Sequence, residues 1–329
     1  MTSDDRWIEK DEAWLAQQAS MPELAKATYR MPLGYGRAPG PRNVPMSKSA
    51  FGRRTSTTIT RVIALTDAKE LAKLLPPGLE LDGEPELDAR LMTVHNCYWL
   101  AGLPYNDLIL RIPNVVSVRD GEPIRGVYGP AMWHNRPDNA ISNREELGYA
   151  ALWADFTAAI PRGPSAYEVQ GSWNGFRFFD MRVDNLDEGR HLDLTDLAPE
   201  DERLADHLRA TVFVYKYVPQ GYSSPGADVS RLITNKMAEY WKVSSDYWKA
   251  EGDQSPESPV KPVTAPEHPV FVRRGTGSFR FNEARWEDMP TQYHVVNRLA
   301  SLPLLEFRYA THMTGAGYAT ASRPAAGQS

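Results

Sequence analysis

Between Ser56 and Leu65 the chain reads STTITRVIAL, a run of β-branched and apolar residues that predicts a strand. The next segment, TDAKELAKLL, changes period. Leu71, Leu74 and Leu75 share one helical face behind a capping Thr66 or Asp67, and Pro76-Pro77-Gly78 ends the helix. The same reading predicts strands over 87–100, 107–118, 123–134, 166–184, 211–218 and 269–281. It predicts helices over 143–153 and 229–244. Near the start, Trp7, Ile8, Trp14, Leu15 and Ala19 make a narrow apolar stripe, so a helix is expected over 3–29. From Met31 to Pro45 three glycines and four prolines predict an extended connector. The polar run 251–268, with four prolines, predicts a loop. The strand spacing points to an α+β fold, a large antiparallel β-sheet curved into a partly closed barrel with peripheral helices. Residues 1–50 are expected to form a helical arm and connector, 51–315 the main domain, and 316–329 a flexible tail.

The 329 residues are 42% hydrophobic and 24% charged, which is globular composition. Lys+Arg total 37 against 42 Asp+Glu, a net charge of -5. No basic excess is present to neutralise a phosphate backbone, so no nucleic-acid partner is expected. No window approaches an uninterrupted membrane span, and the acidic N-terminal stretch lacks a secretory apolar core. No membrane partner is expected, and a cytoplasmic location is. The single cysteine, Cys97, excludes an intramolecular disulfide and a cysteine zinc cage, and the histidines are scattered. No metal or other cofactor is expected. HExxH, GxxxxGK[ST] and GxSxG are absent. Gly315-Ala316-Gly317 lies too near the end of the sequence to open a dinucleotide-binding helix.

Five short segments, in order, resemble the acetoacetate decarboxylase family over about Thr55 to Thr314. They are ITRVIALTDAKELAKLLPPGLEL; Leu91 to Asn96 followed by Tyr105-Asn106-Asp107; Ala140 to Tyr149; Val214 to Pro219; and Gly277-Ser278-Phe279 followed by Leu302 to Glu306. In that family a lysine after Tyr-Pro forms a Schiff base with the substrate ketone. Its amine is kept free to attack by desolvation and a neighbouring cation, a device for which this family is the standard illustration. Here Tyr149 is followed by Ala150-Ala151-Leu152-Trp153, so the lysine position reads Ala151. An alanine cannot form an imine. The resemblance also sets Arg90 where the family has a glutamate facing the lysine. A guanidinium there is shaped to hold a carboxylate in a bidentate pair.

The resemblance sets Asp107 at the family's pocket carboxylate, where burial would raise its pKa toward acid/base use. Arg144 and Glu145 match the family's Arg-Glu pair. Asp107, Glu145 and His95 are the catalytic candidates. Arg90, Arg144, Tyr105, Trp99, Tyr149, Ala151, Trp153 and His134 are the substrate-binding candidates, with His134 also a possible proton shuttle. The implied activity is a lyase-type reaction on a small oxo-acid or a polyketide-like or aromatic acid, by lysine-independent carboxylate chemistry. Hydration or dehydration, retro-aldol cleavage, cyclisation and substrate-assisted decarboxylation all fit. Two alternatives stand beside it: a non-catalytic ligand-binding relative, and an imine enzyme with a relocated lysine such as Lys236. The family further implies a homo-oligomer.

Overall fold

A computed structural model describes residues 56–119, 121–192, 211–221, 226–235 and 270–316. The predicted arm, the 251–268 loop, Lys236 and the tail beyond 316 lie outside these residues.

The described residues open with β1 (Ser56–Thr66) and a one-turn helix α1 (Ala68–Ala72). Asp67 caps α1: its carboxylate accepts from Glu70 N at 2.9 Å, and Leu71 anchors the turn in the core. Then come β2 (Glu80–Leu81), β3 (Glu86–His95), β4 (Tyr105–Arg119), β5 (Glu122–Tyr128) and β6 (Met132–His134). Helix α2 (Pro137–Ser142) runs into a π turn over Asn143–Leu147. The short strands β7 (Ala151–Trp153), β8 (Asp155–Phe156) and β9 (Ile160–Pro161) come after it. Next are β10 (Tyr167–Trp173), β11 (Phe176–Asp184), β12 (Arg190–Leu192), β13 (Val212–Pro219) and β14 (Ala227–Asn235). The described chain closes with β15 (Val270–Phe281), α3 (Tyr293–Ala300) and β16 (Leu304–Ala316).

The strands form one sheet in the order β14-β13-β5-β4-β3-β1-β16-β15-β11-β10-β8. Its pairings are antiparallel except β13 with β5 and, off this path, β6 with β7. The structure corrects the sequence reading at several points, among them the predicted helix over 143–153, which is a π turn followed by β7. The large, mainly antiparallel sheet is present, but the architecture is mostly β, with only three short α-helices among the described residues where an α+β fold is expected. The sheet is not closed: β14 and β8 stand at opposite ends of the path and do not pair, whereas a barrel needs its end strands joined. Residues 229–235, read as the start of a helix, lie in β14, because its eight cross-strand pairs with β13 outweigh local preference.

The centre of the sheet carries two unlike faces, because successive side chains alternate. On one face Val62, Ala64, Leu87, Ala89, Leu91, Leu108 and Leu110 build the main apolar core with Trp133, Phe178 and Phe179. Val296 and Leu299 of α3 cover it. The Trp133 Nε1–H donates to Gln292 Oε1 at 2.7 Å, so this fully buried indole is satisfied. The opposite face is also buried, yet it carries charge.

Candidate active site

Cross-strand register builds the charged face. Asp107 of β4 stands between Met92 of β3 and His134 of β6. One rung along, Ile109 stands between Arg90 and Met132, and Met132 pairs with Ala151. Arg90 in turn pairs with Arg61, and Arg61 with Thr311 of β16. On the next rung Arg111 pairs with Asp88. Arg90 and Asp107 are therefore diagonal neighbours on one face, at about 7–8 Å. Ala151, the position at which the resemblance sets the family lysine, shares that face.

Asp107 and His134 are both buried, and the Asp107 carboxylate is in direct contact with His134 Nδ1. Asn143, at the start of the π turn, fixes the ring. Its Nδ2 donates to Asn139 O at 3.0 Å and to His134 Nε2 at 3.3 Å. A backbone carbonyl can only accept, so the Asn143 nitrogen must face both partners. His134 Nε2 is then an acceptor, and the ring proton sits on Nδ1, toward the carboxylate. Burial pushes the Asp107 carboxyl above its usual range, and His134 opposes this without cancelling it. A carboxylate raised in this way and coupled to an imidazole is equipped to accept and return a proton.

Three guanidiniums gather around Asp88. Arg61 Nε donates to Asp88 Oδ1 at 3.2 Å. Arg90 Nε donates to the same oxygen at 3.3 Å, and Arg90 Nη2 contacts Oδ2. Arg111 adds a further positive charge. Burial pushes Asp88 up, but Arg61, Arg90 and Arg111 together bring it below the usual carboxylate value. Burial draws Arg61 down to about 10, and draws Arg111 down to about 9 with help from Arg90. Both remain cations at neutral pH. Tyr149, raised by burial and lowered by Arg111, lies near this cluster.

The remaining predicted residues divide. Tyr105 is buried on the Asp107 side of β4 and packs with Val94, Cys97 and the half-buried Trp99. Trp153 stands beside His134 in register but is 39% exposed. Glu145 lies in the π turn; its backbone carbonyl is contacted by Lys216 Nζ, and its Oε2 is shut off from solvent with no hydrogen-bond partner among the described residues. Arg144 is exposed, and its Nη1 donates to Ala151 O at 2.9 Å, tying the π turn to β7. His95 does not join Asp107. Strand alternation turns it to the other face, where its Nε2 meets Thr58 Oγ1 at 3.3 Å. Gly148 ends the π turn at φ 79°, and a Cβ there would come within 2.9 Å of Ile233 and 3.0 Å of Lys216.

The sequence reading missed Arg61, Asp88, Arg111, Asn143, Tyr309 and Thr311. Part of the signal was present, because Asp88 and Arg90 alternate with Leu87, Ala89 and Leu91 in a strand of period two. Among the described residues no group of three or more His, Cys, Asp or Glu could hold a metal ion. No described helix is long and apolar enough to cross a membrane.

No curated protein matches the chain. Among solved structures, the enduracididine biosynthesis enzyme MppR with HEPES bound aligns at a TM-score of 0.52 and 14% identity, over 90% of this chain and 93% of that one. The acetoacetate decarboxylase of Legionella pneumophila aligns at 0.51 and 14%, over 79% and 83%. MppR complexed with the condensation product of pyruvate and imidazole 4-carboxaldehyde aligns at 0.51 and 14%, over 89% and 94%. These likenesses establish the fold. The family model for acetoacetate decarboxylase (ADC) matches residues 31–316, and the chain therefore belongs to the acetoacetate decarboxylase family.

Proposed function

We propose that this protein is a lyase acting on a small oxo-acid without an imine, with Asp107 and His134 as its proton-transfer pair. The observation that carries the reading is the buried Asp107–His134 pair on the same sheet face as Arg90 and Ala151. A family relative, MppR, is described with a condensation product of pyruvate, which is itself an oxo-acid. Arg111, with the Nη1 of Arg90 left over from its pairing with Asp88, anchors the substrate carboxylate. Asp107 removes the proton next to the substrate carbonyl, and the released pair moves onto the carbonyl oxygen as an enolate, stabilised by the guanidinium field. The enolate then re-forms the carbonyl and expels a β-substituent, which collects the proton from Asp107. His134 holds the carboxylate in place through both steps. Glu145, with its buried unpartnered oxygen two residues beyond Asn143, is the second carboxylate of the site. Tyr105, Tyr149, Trp99 and Trp153 shape its walls, and assembly into a homo-oligomer belongs to the same proposal.

A second reading has its own observation. Lys216 is half-buried against the π turn of Asn143–Leu147, with Nζ on the Glu145 carbonyl, so a relocated imine would find an amine there. Incubation with 2- and 3-oxo acids, borohydride reduction and intact mass separate the two. The lyase reading expects no adduct, and it expects turnover of Asp107→Asn to fall about 100- to 10,000-fold with ligand affinity retained. An adduct mapped to a lysine, or full turnover by Asp107→Asn, would overturn it.

A further inference from the structure

Asp107 and His134 occupy one end of the charged face, and their chemistry makes no use of the other end, on β1 and β16. There Arg61 and Thr311 stand directly opposite each other, both fully buried. Tyr309, one rung away on the same side of β16, sets its ring against the Arg61 guanidinium, 5.7 Å from Cζ to the ring centroid. Thr311 Oγ1 and the Tyr309 hydroxyl are shut off from solvent and make no hydrogen bond among the described residues. A buried hydroxyl without a partner bears its whole desolvation penalty, which a ligand that accepts hydrogen bonds would remove. Guanidinium groups only donate, and both hydroxyls can donate, so the matching group is an acceptor-only anion. A planar carboxylate fits the guanidinium fork.

Resting on the lyase reading, we infer that Arg61, Thr311 and Tyr309 form a second anion pocket and that the substrate carries a second carboxylate docked there. The pocket deepens the substrate class from an oxo-acid to an oxo-diacid. Arg61 of β1 stands one strand spacing from Arg90 of β3 and two from β4, about 5 and 10 Å, so a dicarboxylate of about four to six carbons spans the two carboxylate positions.

Calorimetric titration of the full chain with adipate and with hexanoate, equal in length and different by one carboxylate, tests this. Adipate should bind about 10-fold tighter or better, and Thr311→Val and Tyr309→Phe should each cut adipate affinity about 10-fold while moving hexanoate less than about twofold. Matched thermal melts show that both variants fold. Equal binding of the two acids, no binding of adipate, variants that weaken both acids alike, or inorganic phosphate binding tighter than adipate would each overturn the second pocket. Binding is read without turnover, so the two proposals fail separately. Full turnover by Asp107→Asn removes the lyase mechanism, and a missing adipate preference removes the pocket.

Discussion

Replacing Asp88 with Asn removes one negative charge and almost no volume. Asp88 accepts from Arg61 Nε at 3.2 Å and Arg90 Nε at 3.3 Å, and it also feels Arg111. The amide leaves these guanidiniums repelling one another with their shared carboxylate gone. Removing one member of a buried ion pair costs about 3–5 kcal/mol. At about 2–4 °C per kcal/mol for a chain of this size, Tm falls by about 6–20 °C. The three guanidiniums hold Asp88 below its usual range, so its stabilisation is complete above the unfolded carboxylate value, about 3.9, and is lost as pH falls through the lower folded value. The gap between wild type and Asp88→Asn should therefore be largest near neutrality and shrink in acid. Urea unfolding followed by circular dichroism, at several pH values from about 7 to 3, measures it. Adding Arg90→Met to Asp88→Asn should cost less than the sum of the single changes, because the two side chains form one network. A loss under about 1 kcal/mol at neutral pH, or a gap that widens in acid, would refute the reasoning.

The proton-transfer pair leads to two further outcomes. Burial holds the Asp107 carboxyl above its usual range, and a base must be ionised to act, so kcat/KM should fall as pH drops through that raised value. Its acid limb should lie above about pH 4, and a limb below that removes Asp107 as the base. The sign for stability is opposite to that of Asp88: the raised carboxyl favours the folded state while protonated, and this is lost as pH rises through the folded value. Asn143→Ala releases His134 Nε2 and should lower kcat about 10-fold with little change in KM. Nitrogen NMR of the His134 ring should show the proton no longer confined to Nδ1, and an unchanged spectrum would refute the positioning role.

Much of the fold was legible because short-range physics decides it. STTITRVIAL became β1, and the Asp67 cap and Leu71 formed α1 where their spacing placed them. Where the reading failed, partners distant in sequence decided the outcome. β14 is a strand because β13 lies beside it, and β16, which no strand was predicted for, is held between β1 and β15. The predicted helix over 143–153 splits into a π turn and β7, since Gly148 turns the chain and β6 pairs with Ala151, Leu152 and Trp153.

The site divides the same way. Residue types and a family resemblance led to Asp107, Arg90, His134 and the alanine at 151, because those positions fall in or beside recognisable segments. Their meeting on one face is a property of register, and register is set by pairing across the sheet. Asp107 faces His134 because β4 pairs with β6, and Arg61 joins Arg90 because β1 pairs with β3. The same alternation turns His95 away, a single residue's parity deciding its face. Sequence by itself determined which residues could carry charge, cap a helix or bend the chain, since those are local properties. Only the tertiary structure decided which charges share one buried face, because that depends on partners tens to hundreds of residues away.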